Sequence, residues 1–346
     1  MTNKCTYTFN PENTESTLDS SWDCPHEAVE ETDTCMFHMS SDERSEHGIT
    51  DADITDALLS IMKAGDVDER QFIGATLGTH DFAYRDIEGI DQHRIDFRHA
   101  TIDEFHAERA RFEEQLDFRD ATIGTLDLNN TELEEGILGK RIHITNHITL
   151  FESVVTGDNT DFEHGVFDGS VVFDEAEFDN NVTFDRAMFN DAASFKAVKF
   201  YGRANETGDN TSFNQATFTE SVSFQRCIFE ATQFNDVTFK GNVNFEDVEG
   251  NGAVEFTTAT FHGDVVFDES VFTDDTDFTD GTFEQEVSLV GCEFDGGTAV
   301  LDDDVSFADA EFNGDVDMRL LTSGSADFTD VSITCDSFIW TEATFT

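Results

Sequence analysis

Phenylalanine returns along this chain at alternating steps of five and six residues. One run reads Phe162, Phe167, Phe173, Phe178, Phe184, Phe189, Phe195, Phe200. Another reads Phe256, Phe261, Phe267, Phe272, Phe278, Phe283, continued by Leu289 and Phe294. Two residues before most of them stands a small or β-branched residue, such as Val171, Ala176, Val182, Ala187, Ala193, Val198, Val222, Cys227 and Val243. In a strand, residues i−2 and i point to the same side. Each unit therefore offers one small and one large inward side chain, then two or three outward ones that turn a corner. A short fixed period of this kind predicts a stacked repeat structure.

An 11-residue period also suits a right-handed helical coiled coil, but on an α-helix a step of five rotates the side chain by about 140°, so alternate Phe would face water. The units are also rich in Gly, Asn, Asp and Thr, which are poor helix formers and suit short strands joined by tight corners. Four units make a turn of about 20–22 residues. Ile95-Asp-Phe-Arg-His-Ala-Thr-Ile102 recurs as Leu116-Asp-Phe-Arg-Asp-Ala-Thr-Ile123, offset by 21, and Phe162–Phe184 and Phe256–Phe278 are each offset by 22. Turns would stack at the spacing of paired strands, about 4.8 Å, giving Phe columns and on the order of twelve turns in a rod roughly 60 Å long.

The units, as in Ala176-Glu-Phe-Asp-Asn and Ala187-Met-Phe-Asn-Asp, resemble pentapeptide repeats. The resemblance covers residues 70–346, is regular over 160–346, and is looser over 70–160, where Ile and Leu replace Phe. It implies an all-β chain folded as a right-handed quadrilateral parallel β-helix. The extra residue in every second unit departs from the family pattern; it either bulges a corner or changes the cross-section. A triangular hexapeptide-type helix is the alternative, but it wants steps of six throughout.

Residues 1–48 lack the repeat and hold Cys5, Cys24 and Cys35, with His26 and His38 beside them in Cys24-Pro-His26 and Cys35-Met-Phe-His38. A Cys-x-x-His step places two ligands on one metal, and zinc favours Cys and His in a tetrahedral shell. So polar a segment buries too little apolar surface to fold alone, and a metal would supply the missing stabilisation. Cys5, Cys24, Cys35 and His38 are the expected ligands of one structural zinc ion, with His26 as substitute or neighbour. Three ordinary thiols, or a disulfide between two of them, are the other readings. Residues 50–65 read as one helix. Thr50-Asp-Ala-Asp53 fits a capping box, Ile54, Leu58, Ile61 and Met62 form an apolar stripe, and Gly65 is the stop. A solenoid end exposes a core layer and a backbone edge, so this helix is expected to cap the rod; a partner-binding helix is the other reading.

The chain carries 75 acidic against 19 Lys and Arg residues, a formal charge of −56, and only six Lys: Lys4, Lys63, Lys140, Lys196, Lys199 and Lys240. Such self-repulsion opposes compaction unless salt is molar and the Debye length about 3 Å. Acid excess with scarce Lys suggests a salt-in halophile. Residues 1–50 hold 11 acids and 2 bases, close to the chain average, so the acid is spread evenly. Met1 to Ser20 holds no apolar core of a signal peptide, and no stretch approaches the roughly 18 apolar residues that cross a bilayer. The expected location is the cytoplasm. Asn-x-Ser/Thr matches such as Asn181-Val-Thr are read as chance.

The rhythm breaks over Tyr201–Ser212, Glu246–Gly252 and Asp295–Asp304. Such loops are places for recognition or harmless decay of the repeat. Asp302 to Asp304 reads as a solvated acidic turn, a hard-cation site being the alternative. No catalytic constellation is present: no phosphate loop, no nucleophile elbow, no His-Glu-x-x-His. In one straight strand His143 and His147 lie about 13 Å apart, too far for one metal. Cys227 and Cys292 take the small inward position and read as packing residues. Arg98 and Arg119, one turn apart, read as a salt-bridged ladder with Asp96 and Asp117, or less simply as a cationic docking stripe. Phe345 falls on a core position with no capping helix after it. Either the open end pairs with a second copy, as a homodimer, or the frame is the cytoplasmic front part of a longer protein. The resemblance bears on the second choice, since some halophilic relatives are similar to pentapeptide rods joined to an ion-channel segment.

The expected function is that of a non-enzymatic acidic scaffold binding an unknown protein partner, without direct nucleic-acid binding or a membrane span. The alternative implied by the resemblance is a DNA mimic that occupies a type II topoisomerase, meeting a Lys/Arg groove that normally holds phosphates. Even charge along the chain weighs against it.

Overall fold

Short strands recur with the Phe period throughout the repeat, and they pair in parallel one turn apart. The computed structural model describes residues 3–11, 16–88, 94–158, 160–202, 211–296 and 304–345. The chain divides into two units, Met1–Asp168 and Gly169–Thr346, and each is a parallel β-helix with four inward central positions per turn.

In the unit Gly169–Thr346 the strands are two residues long on most faces. Phe189, Phe218, Phe239, Phe261, Phe283 and Phe312 stand in register on one face. Val171, Ala193, Val222, Val243, Val265, Val287 and Val316 do so on the next. The rings pile face to face along each column. Phe213, Phe234, Phe256, Phe278, Phe307 and Phe328 follow one another with centroids 4.9–5.2 Å apart and planes within 13°. Between faces they meet edge on, as Phe224 and Phe234 do at 5.3 Å and 78°. Both arrangements suit the ring quadrupole, and these Phe are sealed from solvent except Phe328, which is half-buried.

The two step lengths correspond to two kinds of corner. After Phe184 the chain makes a hydrogen-bonded turn, Ala187 N–H to the Phe184 carbonyl at 3.0 Å, with Arg186 at φ +57°. A positive φ at the third residue is the mark of a type II turn, and it recurs at Ala197, Arg226, Asp247 and Glu269. The step of six follows, from Phe189 to Phe195, and its added residue widens the open corner. In the unit Met1–Asp168 the same position is reached differently. Thr101–His106 and Thr122–Asp127 cross two faces as single strands in matching register. In His143–Thr149 the added residue enters as a bulge between Ile144 and His147. The added residue thus reshapes a corner while four inward positions per turn persist.

The expected breaks fare differently. Residues 203–210 and 297–303, including Asp302 and Asp303, lie outside the described residues. Thr211–Ser212, read as part of a loop, is already a strand paired with Thr232–Gln233 and is buried, because Phe213 restarts the column. Glu246–Gly252 is no loop either. Glu249–Gly250 is a regular strand between Ile228–Phe229 and Val271–Phe272, with Gly250 in the place of Phe. A Cβ there would meet the Phe272 ring at 2.5 Å, so the neighbouring ring fills the space the missing one leaves. At the C-terminal turn Phe345 falls in register with Ser323, and Ile333, Trp340 and Phe345 are exposed by 50%, 59% and 43%.

In the unit Met1–Asp168 two helices precede the strands: α1, Ser41–Glu46, and α2, Asp51–Ala64. The sequence reading missed α1, which starts on a Ser40/Glu43 capping box. Helix α2 has the Thr50/Asp53 box and the Gly65 cap, and it buries Ile54, Leu58 and Met62. It lies on the first long strand, Thr76–Asp81, where the Thr55 hydroxyl meets His80 Nδ1 at 2.8 Å. The sealed ion pair Arg70–Glu114 lies beyond it, with Arg70 Nε donating to the Gly65 carbonyl at 3.1 Å.

Candidate metal centre and the outer faces

The N-terminal segment folds by pairing Thr8–Phe9 with Trp22–Asp23 as an antiparallel ribbon. That pairing brings Cys5 and Cys24 together, with Cys24 N–H on the Tyr7 carbonyl at 3.0 Å and Cys5 N–H on the His26 carbonyl at 2.9 Å. A tight turn, His38 N–H to the Cys35 carbonyl at 3.1 Å, sets the second pair of side chains. The Sγ atoms of Cys5, Cys24 and Cys35 and a ring nitrogen of His38 all lie within 4.8 Å of one another. Cys24 Sγ and Cys35 Sγ are 3.7 Å apart, too far for a disulfide and close to the edge of about 3.8 Å that a tetrahedron of 2.3 Å Zn–S bonds requires. His38 Nδ1 is 3.1 Å from Cys35 Sγ.

The three thiols are buried, and their protonation is uneven. The hydrogen bond from Cys24, helped by His38, holds the Cys35 thiol down at about 4. The same bond pushes Cys24 up, and burial raises Cys5. Cys35 N–H donates to Cys5 Sγ at 3.2 Å. One thiolate, two further soft donors and an imidazole converging on one point can hold a metal ion of the zinc type.

The surroundings orient these donors. His38 Nε2 is 3.0 Å from the Ile73 carbonyl, and its ring stacks on Tyr7 with centroids 3.9 Å apart. A ligating His commonly gives its second N–H to such a carbonyl. His26, expected as a substitute ligand, stands outside the group. Its Nε2 is 3.0 Å from the Gln71 carbonyl and its ring stacks on Phe72 at 5.2 Å. Phe72 stacks in turn on Phe97, and Phe97 on Phe118. His26 is therefore the first ring of an aromatic column, and burial holds it below the ordinary imidazole value. His26 and His38 together cover two carbonyls at the open edge of the first turn, where Thr76 N–H also donates to the Phe37 carbonyl at 2.9 Å.

Ser16–Leu18, between the two strands of the ribbon, form a strap for which residue order holds no signal. Thr17 donates its N–H and hydroxyl to Asp120 at 2.9 and 2.6 Å, Ser16 Oγ is 2.9 Å from His99 Nε2, and Arg98 Nη1 donates to the Thr17 carbonyl at 3.0 Å. The ladder read from Arg98 and Arg119 is present. Arg98 forks Asp96, Arg119 reaches Asp117 at 2.6 Å, and Arg94 joins Asp117 at 3.1 Å. His143 pairs with Asp168 at 2.6 Å. Cys227 and Cys292 are buried packing residues that also donate to the Phe195 and Phe267 carbonyls at 2.8 and 2.9 Å. No described helix is long and apolar enough to cross a membrane.

This architecture is that of a parallel β-solenoid, a class whose stacked units build extended surfaces. Residues 208–249 and 256–303 match the family model for pentapeptide repeats, in nine copies. The chain therefore carries pentapeptide repeats over these residues, and a Cys/His cluster stands in its N-terminal segment. No curated protein matches the sequence.

Proposed function

We propose that this protein is a non-enzymatic scaffold that binds protein partners along the outer faces of its β-helix, in the cytoplasm of a halophile. The observation that carries the reading is the division of labour in each turn. Inward positions are taken up by packing, and outward ones form straight rows with one side chain per turn. Such rows suit a large flat contact more than a small-molecule site. We prefer this to a DNA mimic because two rows run for four and five turns without a carboxylate before reaching Glu311 and Asp317. They read Thr217, Thr238, Thr260, Thr282 and Ser194, Ser223, Asn244, Val266, Ser288. A pull-down with the full chain from a halophilic lysate at molar salt tests it. Stoichiometric capture of a specific protein supports the scaffold; inhibition of a matched halophilic gyrase instead would favour the mimic. The exposed Ile333, Trp340 and Phe345 support pairing with a second copy, which light scattering would detect as a doubled mass.

We also propose one structural zinc ion on Cys5, Cys24, Cys35 and His38. A metal on His38 Nδ1 would leave the proton on Nε2, facing the Ile73 carbonyl, so the ion would hold the N-terminal segment over the first turn. Purified native protein should contain about one zinc per chain, and less than half an equivalent would remove the idea. Cys35→Ser should release the ion and lower Tm.

A further inference from the structure

We propose that a groove in the unit Gly169–Thr346 receives an extended peptide segment of a partner protein, with a Lys or Arg at one end and an acidic side chain at the other. The proposal rests on the scaffold reading and names the surface and its guest. The groove encloses about 700 Å³ and runs across successive strands of one face. Its floor is the outward row Ser194, Ser223, Asn244, Val266 and Ser288, paired strand to strand. On a chain with a formal charge of −56, five consecutive turns of this floor carry no charge. Four strand spacings give a length of about 19 Å, enough for roughly six extended residues.

The groove is concave because short floor side chains lie between longer ones. Asn242, Asp264 and Glu286 form one wall, and Lys196, Gln225 and Asp268 the other. Ser194 and Ser288 spend their hydroxyl protons on Asp174 and Asp268, while Asn244 accepts the Glu246 N–H at 2.7 Å through its amide oxygen and keeps its NH₂ as a donor for a peptide backbone.

The ends differ in sign. Lys196 is exposed at one end. Asp264 and Glu286 are exposed at the other, with Asp268 beside them. Along the stacking direction Asp264, on the opposite wall, is three strand spacings from Lys196, about 14 Å. Charge complementarity therefore favours a segment whose cationic and acidic side chains stand about four residues apart, since each extended residue advances about 3.3 Å. Rim charges of this kind set orientation and choice of partner more than raw affinity.

Panning a random peptide library of about twelve residues on the full chain tests the proposal. Enriched peptides should carry Lys or Arg about four residues from Asp or Glu. They should lose at least tenfold in affinity for Ser223→Trp and for the double variant Asp264→Asn, Glu286→Gln, and keep it for Thr238→Trp on another face. The charge variant leaves the floor untouched, so it still reads the groove if Ser223→Trp disturbs folding. Peptides without charge, peptides that bind every variant alike, or no enrichment overturn the proposal. So does a concentration-dependent dimer abolished by the same variants, which would give the groove to a second copy. A partner captured equally by native protein and groove variants would end this proposal and leave the scaffold standing, whereas an empty pull-down from native protein would end the scaffold reading itself.

Discussion

Inward and outward positions differ less sharply in role than their polarity implies. Phe184 is stacked on Phe213 at 4.8 Å and meets Phe195 edge on at 5.9 Å. Phe184→Ala should open a cavity and cost about 3–5 kcal/mol, read from denaturant melts. Asp185, which follows it, faces outward and is half-buried. Its carboxylate accepts the Ser212 hydroxyl and the Asn214 N–H of the next turn. Asp174 and Asp268 clasp their neighbours in the same way. Part of the acid content is therefore corner hardware. Asp185→Asn keeps an acceptor oxygen and should change stability by less than about 0.5 kcal/mol. Asp185→Ala leaves the Asn214 N–H only the Ser212 hydroxyl at 3.4 Å and should cost about 1 kcal/mol. Equal losses for Phe184→Ala and Asp185→Asn would overturn the inside–outside assignment.

At the scale of elements, α2 is the clearest case of local signals agreeing with the packed structure. Thr50 and Asp53 exchange hydrogen bonds at 2.8 and 3.2 Å, and of the stripe the spacing indicates, Ile54, Leu58 and Met62 are buried and Ile61 half-buried. Thr50→Ala should cost about 1 kcal/mol, measured as a fall in the urea midpoint. The helix also covers His80, which is sealed from solvent. His80 Nε2 finds no hydrogen-bond partner among the described residues. Burial depresses His80, and burial likewise depresses His99 under the strap. Unfolded imidazoles take up protons near pH 6.5, before the folded ones do. The stability these two residues contribute is complete above that pH and is lost as pH falls toward their folded values. The unit Met1–Asp168 should therefore weaken as pH falls below about 6.5, and His80→Gln should flatten that slope in thermal melts. Asp120 acts lower. Burial alone would raise it, but hydrogen bonds from Arg141 and Thr17 outweigh that and hold it below the ordinary carboxylate range. Its share of stability is lost only as pH falls below about 4.

For the molecule as a whole, charge sets the conditions. With 75 acids against 19 Lys and Arg residues, self-repulsion opposes folding and salt relieves it. Tm should climb as NaCl rises from about 0.1 M toward 3 M, where the Debye length shrinks below about 3 Å. A Tm independent of salt would count against the halophilic reading.

The β-helix could be read from residue order because it is quasi-one-dimensional: each unit meets only its neighbours one turn away, so a local period is also the global fold. The alternation of Val or Ala with Phe, the capping box at Thr50 and the packing role of Cys227 were legible for that reason. The three Cys and His38 were legible as candidates from residue type and the Cys35–His38 step. Their convergence was not, since it depends on Thr8–Phe9 pairing with Trp22–Asp23. His26 shows the limit best. Its position beside Cys24 resembles that of a ligand, yet its ring stacks on Phe72, because an open aromatic column has a face to cover. The strap at Ser16–Leu18, the Arg70–Glu114 pair and the uncharged groove floor were equally out of reach. Each joins residues far apart in the chain, and only the stacking of turns brings them side by side.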